Sequence, residues 1–260
     1  MDAMLMLVPA GLLAGLVAGL FGVGGGLIYV PVLYGLYTLG GTWPAELRMH
    51  VALGTSLGAV LITSLASLRA HRRQGTIEWP VVRHLGLGLA FGALLGAWVA
   101  SRLDAAWLRR GFGGFECLVA LQLLQGGGLR LRGAWPGPRF WALAGTGIGT
   151  VSALLGIGGG TLTVPLLAWA RVPMERAVGT SAACGVPIAV AGAAGYLFWG
   201  RAALPQQAGF LDPLAMLALG AGAIFMAPWG ARLAVRLPRA RLRRLFAVFL
   251  LIVGGRLLLE

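Results

Sequence analysis

The chain has 260 residues, 58% hydrophobic and only 11% charged, with 43 glycines and a mean hydropathy of +0.84. A soluble domain carries about 25% charged residues, so this chain has too little polar material to cover a core in water; its surroundings are lipid. The formal charge of +13 comes from 21 basic residues, all of them arginine. They fall mostly between apolar runs, where membrane topology places them, which argues against a nucleic-acid partner.

The missing residue types narrow the chemistry. Without lysine there is no Schiff base and no P-loop phosphate ligand. Cys117 and Cys184 both lie in apolar runs, and His50, His71 and His84 lack metal-ligand spacing. No cofactor, metal centre or catalytic group is expected.

In chain order, residues 3–45 contain no charge. As one straight helix they would measure about 65 Å, twice a bilayer core of about 30 Å, so this window breaks or turns back. The break is legible as FGVGGG at 21–26, followed by a second apolar piece at 27–39. Apolar runs at about 50–69, 80–101 and 106–125 read as ordinary spans. Residues 126–138 have the Gly/Pro/Arg composition of a connecting loop. The window 140–170 then repeats the opening plan, with LGIGGG at 155–160 and TLTVPLLAWA at 161–170. Further spans are expected near 177–200, 213–235 and 241–259. No signal peptide is evident, since the beginning lacks a basic segment and a small-residue cleavage site. The expected fold is an all-α, polytopic transmembrane bundle. Residues 1–125 form one repeat, 126–138 the link, and 139–260 the second repeat.

The internal duplication is the strongest organisational signal. Gly22–Gly26 matches Gly156–Gly160, and Pro31 matches Pro165, at a spacing of 134. The same spacing relates Leu108-Arg109-Arg110 to Leu242-Arg243-Arg244, and Gly88 and Gly96 to Gly222 and Gly230. Gly54-Thr55-Ser56 pairs with Gly179-Thr180-Ser181 at 125, so about nine extra residues near 40–48 are offset by an insertion near 201–210. Duplicated membrane bundles have repeats of this length. Arginine placement bears on their orientation. If each broken segment counts as one crossing, the halves are parallel and the loops divide 12 to eight. If the two pieces leave on the side they entered, or both cross fully, each half has an odd number of passes and the repeats invert. One side then holds 14 arginines (69, 72, 73, 130, 132, 139, 171, 176, 232, 236, 239, 241, 243 and 244) and the other six (48, 102, 109, 110, 201 and 256). The inverted arrangement obeys the positive-inside rule better and places both ends of the chain outside the cytoplasm.

Irregular backbone survives in lipid only where it is packed in protein or lines a cavity. Two equivalent breaks therefore point to a shared cavity near mid-membrane. Gly24, Gly25 and Gly26 with Gly158, Gly159 and Gly160 permit close backbone approach. A helix restarting after each run offers free N–H groups, a natural anion site, with Pro31 and Pro165 about a turn inside. Thr161 and Thr163 add hydroxyls in the second half, where the first has Leu27 and Tyr29. Isolated glycines, as in GLLAGLVAGL, read simply as helix-packing positions. Thr55, Ser56, Thr180 and Ser181 either bond to their own helix carbonyls or complete the cavity. Gly54-Thr55-Ser56-Leu57-Gly58 also spells G-x-S-x-G, but a nucleophile elbow needs a preceding strand and a His–acid pair, and this stretch reads as apolar helix. Glu116, whose repeat counterpart is Leu250, is the one acid deep in an apolar run. It is either a candidate for proton coupling or a protonated or Arg109-paired residue within the bundle.

GLVAGLFGVGGGLIYVPVLY and GTVSALLGIGGGTLTVPLLAW, each followed by a GTS element and later an LRR-led last span, resemble the TauE/SafE sulfite exporter family of membrane transporters. The resemblance covers nearly the whole chain. It implies a multi-pass transporter of the bacterial inner membrane that moves sulfite, sulfonates or related small sulfur-containing anions. The family's Gly-rich motifs would fall on Gly22–Gly26 and Gly156–Gly160, and its hydroxyl element on Thr55, Ser56, Thr180 and Ser181. The implied partners are a small anion and the bilayer. A passive anion channel and a non-transport membrane protein remain as alternatives, and the residues leave the substrate, direction, coupling ion and oligomeric state open.

Overall fold

The computed structural model describes residues 2–21, 24–125, 137–204, 207–233 and 239–259. These form ten helices: α1 (Asp2–Phe21), α2 (Gly26–Gly40), α3 (Arg48–Gln74), α4 (Trp79–Ala100), α5 (Ala105–Gln125), α6 (Pro138–Leu154), α7 (Gly160–Trp169), α8 (Met174–Gly200), α9 (Pro213–Leu233) and α10 (Arg239–Leu259). No strand occurs among the described residues. Of the connecting stretch 126–138, residues 126–136 lie outside the described residues, and Pro138 already opens α6 in the first-turn position where its missing N–H costs nothing.

Among the described residues, α3, α4, α8 and most of α9 are long and apolar enough to cross a membrane. Helices α5 and α10 match them in length but carry Arg109, Arg110 and Glu116, and Arg243, Arg244 and Arg256, respectively. The short pieces differ in kind. At 15 and 10 residues, α2 and α7 measure about 22 and 15 Å, less than the bilayer core. Helix α3 runs past its apolar stretch because His71, Arg72 and Arg73 suit the negative end of the helix dipole. Gly75, at φ 68°, then closes it with a bond to the Arg72 carbonyl while Thr76 N–H reaches that of His71.

The polarity is distributed as lipid demands. Large apolar side chains face outward, among them Leu87 (84% exposed), Leu143 (75%) and Phe225 (72%), whereas Thr55, Ser56, Thr63, Ser64, Ser67, Ser152, Thr163, Thr180 and Ser181 are buried. In water this pattern would drive aggregation; in a bilayer it places the hydrogen-bonding groups where protein can satisfy them.

The two sequence halves interleave. Helix α1 packs on α9, and its repeat counterpart α6 packs on α4, the counterpart of α9. Likewise α4 lies on α8 and α3 on α9, with α3 against α8 and α5 against α10 closing the arrangement. Glycine contacts fix the directions. Gly11 meets Leu219 and Gly15 meets Ala223, so α1 and α9 run the same way; Gly88, Gly92 and Gly96 meet Ala142, Thr146 and Thr150, so α4 and α6 do too. Gly58 at Met216 and Gly220 at Ile62 make α3 parallel to α9. Gly179 at Thr76, Gly185 at Ser64 and Gly192 at Leu57 make α3 and α8 antiparallel. Helix α2 runs back along α3: Tyr29 bonds Thr63 at 2.7 Å, and Tyr37, two turns on, reaches Asp212, whose N–H donates to Thr55 at 2.9 Å.

These seams bring backbone against backbone, which is how helices associate without a hydrophobic driving force. A Cβ at Gly92 would strike the Thr146 carbonyl oxygen, whereas one at Gly86, on the same helix, meets nothing within 4 Å. Gly92→Val is expected to lower stability by about 1–3 kcal/mol or more. Gly86→Ala should be neutral or raise it by up to about 1 kcal/mol. Reversible unfolding in mixed micelles reads both.

Candidate functional site

Helix α1 ends at Phe21 and α2 starts at Gly26. Gly22 and Val23 lie outside the described residues; Gly24 and Gly25 have φ of 78° and 84°. The second half carries the same feature: α6 ends at Leu154, Gly156 and Gly159 have φ of 63° and 72°, and α7 starts at Gly160. Side chains rarely adopt this left-handed region. Each restart leaves its first amides without an intrahelical partner. The first bonds in α2 run from Ile28 and Tyr29 N–H to the Gly25 carbonyl, and in α7 from Leu162 and Thr163 N–H to that of Gly159. The amides of Gly26, Leu27, Gly160 and Thr161 precede those bonds.

The breaks touch each other. A Cβ on Gly24 would lie 3.1 Å from the Gly158 Cα, and one on Gly26 would lie 2.6 Å from the Gly156 carbonyl oxygen. Val60, at the middle of α3, is within 3.7 Å of that same Gly24 position. The contact therefore sits about halfway along α3, which with α8 is the longest of the described helices. Beside it is a small cavity of about 10 Å³ lined by Ala18, Gly24, Thr63, Ser64, Ser67, Gly158, Ser181 and Ala182. That is room for about one water. Its lining combines backbone from both breaks with hydroxyls from α3 and α8 and contains no charged side chain.

The remaining candidate residues divide by position. Gly25 backs the first break against the Tyr29 ring, and Gly159 lies against Ile188 with the Ser152 and Thr163 hydroxyls close by. The hydroxyls of Ser152, Thr161 and Thr163 are buried without a hydrogen-bond partner. Ser56 is in the middle of helix α3, not on a strand–helix elbow, and donates to the Gly156 carbonyl at 2.7 Å; it thereby holds the second break in place. Thr55 and Thr180 point elsewhere. Thr55 accepts from Asp212 N–H at 2.9 Å just before α9, and Thr180 accepts from Glu78 N–H at 2.9 Å just before α4. These are equivalent bonds, each tying one half to the start of a helix in the other.

Glu116 lies on the α5–α10 seam beside Gly254, fully buried, and neither carboxylate oxygen has a hydrogen-bond partner. The pairing with Arg109 is not made: Arg109 points its guanidinium to the Tyr34 hydroxyl at 3.4 Å. Glu116 is not among the residues lining the cavity. The cavity instead depends on Thr63, Ser64 and Ser67, which the sequence reading passed over. Their signal was present: Ser56, Thr63, Ser64, Ser67 and His71 fall at helical spacing along one face of an apolar helix.

A family model described as sulfite exporter TauE/SafE matches residues 7–257. The chain belongs to that family. The TauE/SafE assignment agrees with the curated relatives. A protein of Haemophilus influenzae is 32% identical over 98% of both chains, and one of Methanocaldococcus jannaschii is 27% identical over 98% of this chain and 95% of its own. YunE of Bacillus subtilis is 27% identical over 98% of this chain and 97% of its own. All three are named as probable membrane transporter proteins. No solved structure matches significantly. With its apolar helices, this TauE/SafE member is a multi-pass membrane protein of a transporter family.

The positions of Thr55 and Thr180 separate holding the fold from lining the cavity. Thr55→Val and Thr180→Val each leave one backbone N–H without its acceptor and should cost about 1–3 kcal/mol of stability. A substrate's half-saturation concentration should stay within about twofold of the unaltered protein's. Chemical denaturation and concentration-dependent uptake into proteoliposomes check the two halves of this expectation.

Proposed function

We propose that the chain is a secondary transporter that exports sulfite, sulfonates or related small sulfur-containing anions, with its central site where the two glycine breaks meet. The observation that carries this reading is the contact of Gly24 with Gly158 at a cavity lined by Thr63, Ser64, Ser67 and Ser181, with the two helix starts following directly in the chain. Such a lining suits an oxyanion: N–H and O–H donors neutralise spread charge, and without a fixed cation the anion can leave again.

The inverted repeat supports alternating access. Helix α1 descends to the break and α2 returns along α3 to the side of entry, and three passes follow, so each half ends on the side opposite its start. The arginine tally of 14 against six then assigns the richer side, which holds Arg69, Arg72 and Arg73, to the cytoplasm, with the protein in the inner membrane. A cavity of about 10 Å³ takes a water and no sulfur oxyanion, so loading requires the packed halves to separate. That requirement favours a transporter over a passive channel, which needs a continuous pore.

Gly25→Val and Gly159→Val test the site. Each places a branched side chain in a left-handed backbone position, at a cost of about 1–3 kcal/mol, and drives it into the Tyr29 ring or the Ile188 side chain that backs the break. Efflux of sulfite from proteoliposomes is expected to fall to the protein-free background while membrane insertion persists; unchanged flux in both variants would refute the site. In a thermal-shift series against sulfite, sulfonates, thiosulfate and carboxylates, the true substrate at a hundred times its dissociation constant should add about 2.7 kcal/mol.

A second reading concerns energy coupling. Glu116 is a fully buried carboxylate with no partner, the usual form of an intramembrane proton carrier. Glu116→Gln should keep downhill sulfite flux and lose uphill accumulation under a proton gradient. Unimpaired accumulation assigns Glu116 to the α5–α10 seam alone.

A further inference from the structure

We propose that the second half of α3 is the loading path for the anion from the cytoplasmic side: an arginine mouth followed by a hydroxyl ladder to the glycine breaks. The inference rests on the transport reading above and adds where the substrate enters and which side chains carry it.

Three observations place this path. First, Arg69, Arg72 and Arg73 are exposed and border one stretch of open surface at the end of α3. None of them forms an ion pair among the described residues, where Glu78 is taken by Arg176 at 2.6 Å. Three guanidiniums that form no ion pair can attract a planar or pyramidal oxyanion; Glu175, near enough to act on His71, is the opposing charge there, and the net field of the mouth is positive. Second, the polar face of α3 leads inward from that mouth. His71 is one turn from Ser67, and Ser67 is one turn from Thr63 and Ser64; all four are buried, and the last three line the central cavity. His71 Nδ1 is held by Thr76 at 2.9 Å, which leaves its buried Nε2 without a partner. Third, α8 faces this stretch of α3 at both ends. Thr76 packs against Gly179, and Ala182, one turn on, lines the same cavity as Ser67, together with Ser181.

The opposite half has no such path. The α8 counterparts of Thr63, Ser64, Ser67 and His71 are Ile188, Ala189, Gly192 and Tyr196, and those of the three arginines are Ala194, Leu197 and Phe198. Tyr196 spends its hydroxyl on the Ala153 carbonyl at 3.1 Å. The duplicated fold thus has one polar approach and one apolar approach to a shared centre. The arginines therefore speed anion encounter from the cytoplasmic side, while the gradient that drives the carrier sets the net direction of flux.

Cysteine accessibility tests the path without relying on transport. Ser67→Cys is placed in a Cys117→Ala, Cys184→Ala background, and the purified chain is reconstituted in lipid nanodiscs. Its labelling by an ethylsulfonate methanethiosulfonate is compared with labelling by the trimethylammonium analogue, each rate being normalised to a free thiol. The sulfonate reagent is expected to react about tenfold or more faster, as steering of this kind allows, and Arg69→Gln, Arg72→Gln and Arg73→Gln together should remove the preference. Equal normalised rates, a cation preference, or no labelling by either reagent would overturn the path. So would an anion preference that survives loss of all three arginines. Anion-selective labelling together with no sulfite flux supports the path and removes sulfite as its cargo, so failure of the path and failure of the substrate reading give different results.

Discussion

A peptide group in hydrocarbon that lacks a hydrogen-bond partner costs several kcal/mol, and this chain twice interrupts a helix within its bundle. The interruptions are tolerated because each is enclosed by the other half: Gly24 lies against Gly158, Gly26 against Gly156, and Ser56 closes the Gly156 carbonyl from α3. Enclosure of this kind requires backbone at van der Waals distance, which is why glycines recur at the α1–α9, α4–α6, α3–α8 and α5–α10 seams. The exchange of partners between halves has the same origin. A half that packed on itself would leave its break facing lipid.

The repeats share a plan but have diverged in chemistry. At equivalent positions after the breaks, Tyr29 donates to or accepts from Thr63, while Thr163 stands with Ser152 as buried hydroxyls that no neighbour satisfies. The first half contributes the hydroxyl face of α3, and the second contributes short side chains that keep α8 close to it. Side-chain divergence makes the two approaches to the centre chemically unequal.

Much of this architecture could be read before any coordinates. Apolar runs located the long helices because a membrane span tolerates few formal charges, and the repeated glycine motif marked where helices end and restart because few other residues allow positive φ. The hydroxyl assignments were harder. Thr55 and Thr180 stood beside Ser56 and Ser181 in matching motifs, yet their acceptor role toward Asp212 and Glu78 joins residues 157 and 102 positions apart. No local pattern reports such a bond. The Arg109–Glu116 pairing was drawn from helical spacing alone, but Tyr34 of α2 supplies a partner for Arg109 from outside α5, and Glu116 is left to the α10 seam.

The sequence by itself determined an arginine-flanked bundle of apolar helices and carried a glycine-rich motif twice, because hydrophobic length, charge position and glycine content act locally along the chain. It also contained the polar stripe of α3, although nothing in the stripe states what it faces. Only the tertiary structure decided that the breaks meet each other, that Ser64 and Ser67 turn toward them, and that Thr55 and Thr180 turn away. Those outcomes follow from the packing of one half against the other, and a contact between residues a hundred positions apart leaves no periodic trace in either segment.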